Sequence, residues 1–324
     1  MLERWLVALS VASTVGCAPA PQPVAIKSVS KPSPPAVEEG KPAAAAAAEP
    51  GLRSWRSHGY EVMLHDRTGD AEHHAELEAW VERALSAVSE TTGGAAEPIH
   101  VVAERGAEGA TTRERTITLH LEDGPRPAQA DQEWVLPHEL IHASFPSLWD
   151  PDQWLEEGLA TYLEPLVRVR AGQLQEREMW GDLARDLPQG AVKAGEGGLR
   201  GTREWHRLYW QGAVFWLDAE LTIFEKTSGK LSLGDALCAW ARQQDSDDFD
   251  SDQAFAAMDA RLEQAILRPL YERASEHGLA RGPAELLTAL GVSVTSGGVS
   301  FKDDAPAAEL RRRLARPSPR PCSH

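Results

Sequence analysis

Residues 134–146 read WVLPHELIHASFP, and within them His138 and His142 stand four positions apart with Glu139 between. Only a helix makes that spacing useful, because residues i and i+4 then share a face and two imidazoles can meet at one point. The flanks agree: Trp134, Val135, Leu136, Leu140 and Ile141 supply apolar surface, Asp131 can cap the start and Pro146 marks the end. Pro137 is tolerated only in a first turn, which brings the start of the regular helix next to it. With Asp counted as Glu, composition alone gives about 0.06 chance occurrences of the pattern, so two ordinary helix histidines stay in competition with two metal ligands. A third ligand decides between them, because a catalytic zinc site takes three protein ligands and leaves one position open. The next helical stretch, DQWLEEGLATYLEP (152–165), offers Glu156 and Glu157 directly ahead of Gly158. Periodicity does not choose between these carboxylates, and a solvated acidic helix start accounts for both without a metal.

The rest of the chain divides into five stretches. Residues 1–17 hold one early Arg, an apolar run from Trp5 to about Val15 and then Cys17. The run is too short to span a bilayer and has the length of a signal-peptide core. Thr14-Val15-Gly16-Cys17 resembles a bacterial lipobox, with Thr14 where Leu is usual. Residues 18–50 are rich in Pro, Ala, Lys and Glu and read as a flexible tether. Residues 51–130 read as a small α/β lobe. It has strands in HGYEVMLH, PIHVVA and RTITLHL and one helix, whose apolar face is Leu77, Trp80, Val81, Ala84, Leu85 and Val88. From 131 to 290 the periods are helical, over about 131–144, 151–168, 173–186, 203–227, 232–243, 253–277 and 283–290. Residues 291–324 add a hairpin in GVSVTSGGVSFKDD, a short basic helix and a Pro-rich tail. The fold class expected is α+β.

Pairing HExxH with the downstream WLEEGLATY resembles the glutamate zincins, a group that includes aminopeptidase N and the bacterial glycyl aminopeptidases. A second block, YWQGAVFWLDAEL followed by LGDALCAW (209–240), resembles the YxxGA helix and LxDAL segment of the glycyl aminopeptidase branch. The resemblance covers roughly residues 131–243 and implies a helical, thermolysin-like catalytic lobe. By it, His138, His142 and Glu157 are ligands of one Zn²⁺ per chain, Glu139 is the general base, and Tyr209 stabilises the tetrahedral intermediate. Two departures stand out. Fourteen residues separate His142 from Glu157, a shorter interval than the aminopeptidase N branch usually has, and no GxMEN segment is present.

The implied activity is hydrolysis of peptide bonds in a peptide or protein substrate, by exo- or endopeptidase action. The rivals are a catalytically silent surface lipoprotein of the same fold that binds a partner, and a metal-dependent amidase acting on something other than peptide. A formal charge of −16 excludes nucleic acid as a partner class, since phosphate binding rests on clustered Lys and Arg. Membrane attachment is expected only through a lipid on Cys17, which places the protein in a bacterial cell envelope, with Ala18 favouring the outer membrane. With Cys17 modified, Cys238 and Cys322 remain. They could pair in an oxidising envelope, but their settings, an apolar helix and a Pro-rich tail, favour a buried free thiol at Cys238. His206, one helical turn before Tyr209, is either an oxyanion helper or a packing residue. Thr161, one turn after Glu157, is either a helix-face residue or a support for that ligand. His73 and His74 are adjacent and diverge, which makes a poor metal pair. The 11 Trp residues mostly hold apolar helix positions, which signals core.

Overall fold

The computed structural model describes residues 51–69, 74–95, 97–107, 109–122, 133–148, 151–243, 249–295, 298–317 and 322. The signal and tether stretches, Asp131 as a helix cap, and His73 lie outside the described residues. Period-two alternation builds the sheet: along β2 (Tyr60–Asp66) Tyr60, Val62 and Leu64 point inward, and Ile99, Val101 and Ala103 do the same along β3 (Ile99–Arg105). β1 (Leu52–Ser57) pairs antiparallel with β2, and β2 pairs parallel with β3 through the crossover helix α1 (His74–Thr92). β5 (Thr116–Leu121) continues in parallel, and β4 (Gly109–Arg113) folds back against it as the edge, giving the order β1-β2-β3-β5-β4.

The sequence predicts three of these five strands. β4 escapes because its turn, Glu114-Arg115, carries neither Gly nor Asn, although Glu114 adopts φ 53 there. The missed strand matters, because its edge packs on the helix that carries His138 and His142.

The helical part begins with α2 (Val135–Ser144) and α3 (Gln153–Arg170), then α4 (Glu176–Asp186), a 3₁₀ turn at Leu187–Gly190 and a π-helical turn at His206–Gln211. The π turn runs directly into α5 (Gly212–Thr227), so the single helix expected over 203–227 is two registers joined end to end. α6 (Leu233–Ala241) follows. The single helix expected over 253–277 is instead α7 (Ser251–Leu262) and α8 (Leu267–His277). Glu263 ends α7 with φ 55, and the Asp259 carboxylate accepts the free N–H groups of Ile266, Leu267 and Arg268. Pro269 explains the restart, since it has no N–H to continue α7 and fits only a first turn. α9 (Pro283–Leu290), the hairpin β6 (Val292–Thr295) and β7 (Gly298–Phe301), and α10 (Ala308–Leu314) close the chain. Among the described residues no helix is long and apolar enough to cross a membrane.

Buried side chains from Tyr60 to Leu314 form one continuous cluster, so sheet and helices share a core. Trp154, Trp180, Trp216 and Trp240 are fully buried in it. The Tyr60 hydroxyl joins three elements, lying 2.6 Å from Thr92 Oγ1 and 3.0 Å from Ser144 Oγ. At the centre α3 and α5 cross through glycines. A Cβ on Gly158 would lie 2.3 Å from the Gly212 backbone, and one on Gly212 would lie 2.4 Å from the Trp154 carbonyl oxygen.

Cys238 is not a free thiol: it is disulfide-bonded to Cys322, with Cα atoms 5.5 Å apart. The reason is tertiary. Cys322 lies beside the C-terminal end of α1, where Gly93 has room only for hydrogen against the Cys322 backbone. Composition around Cys322 carries no trace of that placement.

Two outcomes follow. Cys322→Ser should cost about 2–5 kcal/mol in denaturant unfolding, and in the wild type Cys238 and Cys322 should resist a thiol reagent in denaturant until reductant is added; immediate reaction would refute the bond. Gly158→Ala should lose about 1–3 kcal/mol, because backbone is what the new methyl meets. An unchanged melting temperature would show that α3 and α5 do not touch there.

Candidate metal centre

α2 buries Leu136, Leu140, Ile141 and Ala143 in the common core, which leaves His138, Glu139 and His142 on the face turned toward α3 and β4. Pro137 sits in the first turn, where its missing N–H is one the helix could not use. The two imidazoles converge, Nε2 to Nε2, at 3.3 Å. Glu157 of α3 completes the group: its Oε2 is 3.4 Å from His142 Nε2 and 3.6 Å from His138 Nε2. These three are the one group of His, Cys, Asp and Glu among the described residues with donor atoms close enough to hold a metal ion.

The choice between the adjacent glutamates is resolved by their different directions on the helix. Glu156 turns back to the loop after α2, where its Oε1 accepts from Ser147 Oγ at 2.9 Å and from the Leu148 N–H. It fixes the α2–α3 connection and stays out of the cluster. Thr161 donates to the backbone oxygen of Glu157 at 2.7 Å rather than to its carboxylate.

Tyr209 comes from the π turn. Its ring lies parallel to that of His138 at 6.3 Å between centroids and rests on Trp205 at 5.8 Å. Burial first, and then the Glu157 and Glu139 carboxylates, push its phenol far above the ordinary range, so it remains an O–H donor. Among described residues His206 faces away from this role, with Nε2 2.8 Å from Glu196 Oε1. His74 is likewise occupied, 2.5 Å from Asp66 Oδ2.

One neighbour of the cluster was not anticipated. Thr112 Oγ1, on the edge strand β4, lies 2.7 Å from Glu139 Oε2 and 3.2 Å from the Glu139 carbonyl oxygen. The only signal for it in the sequence is the pair of β-branched threonines in GATTR, which is too weak to mark a strand beside a helix.

The donor set and its spacing fit a zinc-sized ion. Bonds of about 2.0–2.1 Å at tetrahedral angles separate ligand atoms by about 3.4 Å, and the three separations here are 3.3, 3.4 and 3.6 Å. Without an ion the same atoms form a charge cluster. For His142, burial works to lower the pKa, but Glu157 beside it, with Glu139 and Glu156 near, pushes it up to about 9. For Glu157, burial works upward and the two histidines overcome it, holding the carboxyl well below its usual range.

No model of a protein family matches the chain, and no curated protein matches it. Solved structures do. The aminopeptidase N family protein from Idiomarina loihiensis is similar over 79% of this chain and 52% of its own, with 12% identity and a TM-score of 0.55. The M1 zinc metallopeptidase from Deinococcus radiodurans is similar over 72% of this chain and 53% of its own, with 21% identity and a TM-score of 0.49. The first likeness is one of fold, and this chain spans about half the length of each.

The charge cluster has a pH signature. His142 is raised above 6.5, so its contribution to stability is full below pH 6.5 and is lost as pH rises toward 9. Glu157 is depressed, so its contribution is present above about pH 4.5 and is lost as pH falls. Metal-free protein in chelator should therefore lose unfolding free energy between pH 6.5 and 9, and Glu157→Gln should flatten that slope. An identical slope in the variant would rule out the coupling.

Proposed function

We propose that the chain is a zinc-dependent metallopeptidase. The observation that carries the reading is the convergence of His138, His142 and Glu157 at metal-ligand spacing, with the Glu139 carboxylate and the protonated Tyr209 phenol nearby. The α+β fold shared with an aminopeptidase N family protein agrees with it.

In this reading His138, His142 and Glu157 would hold one Zn²⁺. The ion would supply Lewis acidity toward a peptide carbonyl and lower the pKa of a water molecule. Glu139 is placed one residue from His138 to take the water's proton and pass it to the departing amine. The Thr112 hydroxyl donates to one oxygen of that carboxylate and so helps to orient it. Tyr209 donates a hydrogen bond to the oxygen on which negative charge develops, which its raised pKa keeps it able to do. The substrate class is peptide or protein. The chain would work outside the cytosol, tethered through a lipid on Cys17, and the Cys238–Cys322 bond supports an oxidising compartment.

Protein purified without chelator should contain close to one zinc per chain. Glu139→Gln should keep the zinc and lower kcat about 10²- to 10⁴-fold, and His142→Ala should lose metal and turnover together. A panel of blocked and unblocked peptides separates exopeptidase from endopeptidase action. A fully zinc-loaded wild type that cleaves nothing in the panel would end the peptidase reading.

A further inference from the structure

The segment that carries Tyr209 is held from outside by a loop that the mechanism above does not use. Residues 191–201, AVKAGEGGLRG, follow the 3₁₀ turn and lie against the π turn. One carboxylate in this loop grips both ends of the π turn. Glu196 Oε1 is 2.8 Å from Nε2 of His206, the first residue of the turn, and Glu196 Oε2 accepts from Nε2 of Gln211, the last, also at 2.8 Å. Arg207 adds bonds from the turn back to the loop, donating to the carbonyl oxygens of Gly197 at 2.9 Å and Gly198 at 2.5 Å. It also closes on Gln211 Oε1 at 3.2 Å. The Glu196 carboxylate itself is fixed by the Lys193 N–H at 2.8 Å. That bond first, with His206 and Gln211, lowers its pKa to about 2, so it is ionised at working pH.

The grip matters because of the register it preserves. In the π turn the Gly212 N–H bonds the Arg207 carbonyl, five residues back. A π turn accommodates one extra residue, and relaxing it to α register would rotate the preceding side chains by about 100° relative to α5. Such turns are rare and are found mostly as single turns within α-helices, frequently at functional sites. Tyr209 lies between the two gripped residues, so its direction toward Glu157 depends on the register.

We propose that Glu196 is a positioning residue: by bonding His206 and Gln211 together it holds the π register of residues 206–211 and keeps the Tyr209 phenol at the metal centre. Its consequence for turnover rests on the peptidase reading, whereas its hold on the segment does not.

The test compares wild type, Glu196→Ala, Glu196→Gln, Tyr209→Phe and the Glu196→Ala/Tyr209→Phe double variant as full chains. Amide hydrogen–deuterium exchange over residues 206–212 is read by mass spectrometry, together with zinc content, kcat and KM. Expected for Glu196→Ala is exchange at 206–212 faster by about tenfold or more, with α2, α3 and zinc content unchanged. Its kcat should fall by about 10- to 100-fold at near-constant KM, as a small displacement of a catalytic group produces. Glu196→Gln, which keeps one acceptor, should fall between. In the Tyr209→Phe background Glu196→Ala should have almost no further effect on kcat. Unchanged exchange at 206–212 overturns the proposal, and so does a kcat loss that multiplies fully with that of Tyr209→Phe. A zinc-loaded wild type that cleaves no peptide would sink the peptidase reading, and the exchange result would still decide whether Glu196 holds the segment.

Discussion

The backbone contact between Gly158 and Gly212 is the constraint on which the arrangement of the site depends. Helices usually keep axes 8–10 Å apart because side chains separate them, and a glycine on each surface removes that spacer. Here a Cβ on Gly158 would stand 2.3 Å from the Gly212 backbone. Each glycine adjoins a piece of the site. Glu157 directly precedes Gly158, and the π turn that bears Tyr209 ends at Gln211, directly before Gly212. Pressing the two glycines together therefore brings the carboxylate on α3 and the phenol from the π turn to the same end of the crossing. Gly190 repeats the device on the other side of the turn, where a Cβ would lie 2.5 Å from the Trp210 carbonyl oxygen.

The cluster that results is electrostatically expensive by itself. Two imidazoles and a carboxylate leave water together; against the effect of burial, Glu157 raises the pKa of His142 and the histidines lower that of Glu157. A buried group of this kind is tolerable when the charges compensate or when a cation is supplied. His138 Nδ1 is buried with no hydrogen-bond partner among the described residues, so that ring is oriented by packing between Trp134 and Tyr209 rather than by an acceptor behind it.

The sheet contributes more than a scaffold. Its edge strand lies along α2, and Thr112 reaches the carboxylate of Glu139. The two halves of the chain are further joined by the Tyr60 hydroxyl, which meets α1 and α2 at once, and by the disulfide that joins Cys322, beside the end of α1, to α6. Their side chains pack as one core, which is why residues from a strand, two helices and a π turn hold a common geometry.

The sequence by itself determined the α+β class, the apolar face of α1, the closing hairpin and the helical spacing of His138 and His142. All of these rest on local period, 2.0 for strands and 3.6 for helices, which residue order carries directly. Resemblance to the glutamate zincins, not periodicity, separated Glu157 from Glu156; in three dimensions the separation comes from Ser147 and Leu148, which engage Glu156 and leave Glu157 to face the histidines. Tertiary structure alone decided that Cys238 bonds Cys322, that Thr112 touches Glu139 and that Tyr209 sits in a π turn. Each of these depends on what another segment supplies: Cys322 beside the end of α1, an edge strand, the Glu196 loop. A local pattern states which face of an element is apolar. Only the packed chain determines what that face, or the polar one opposite, will meet.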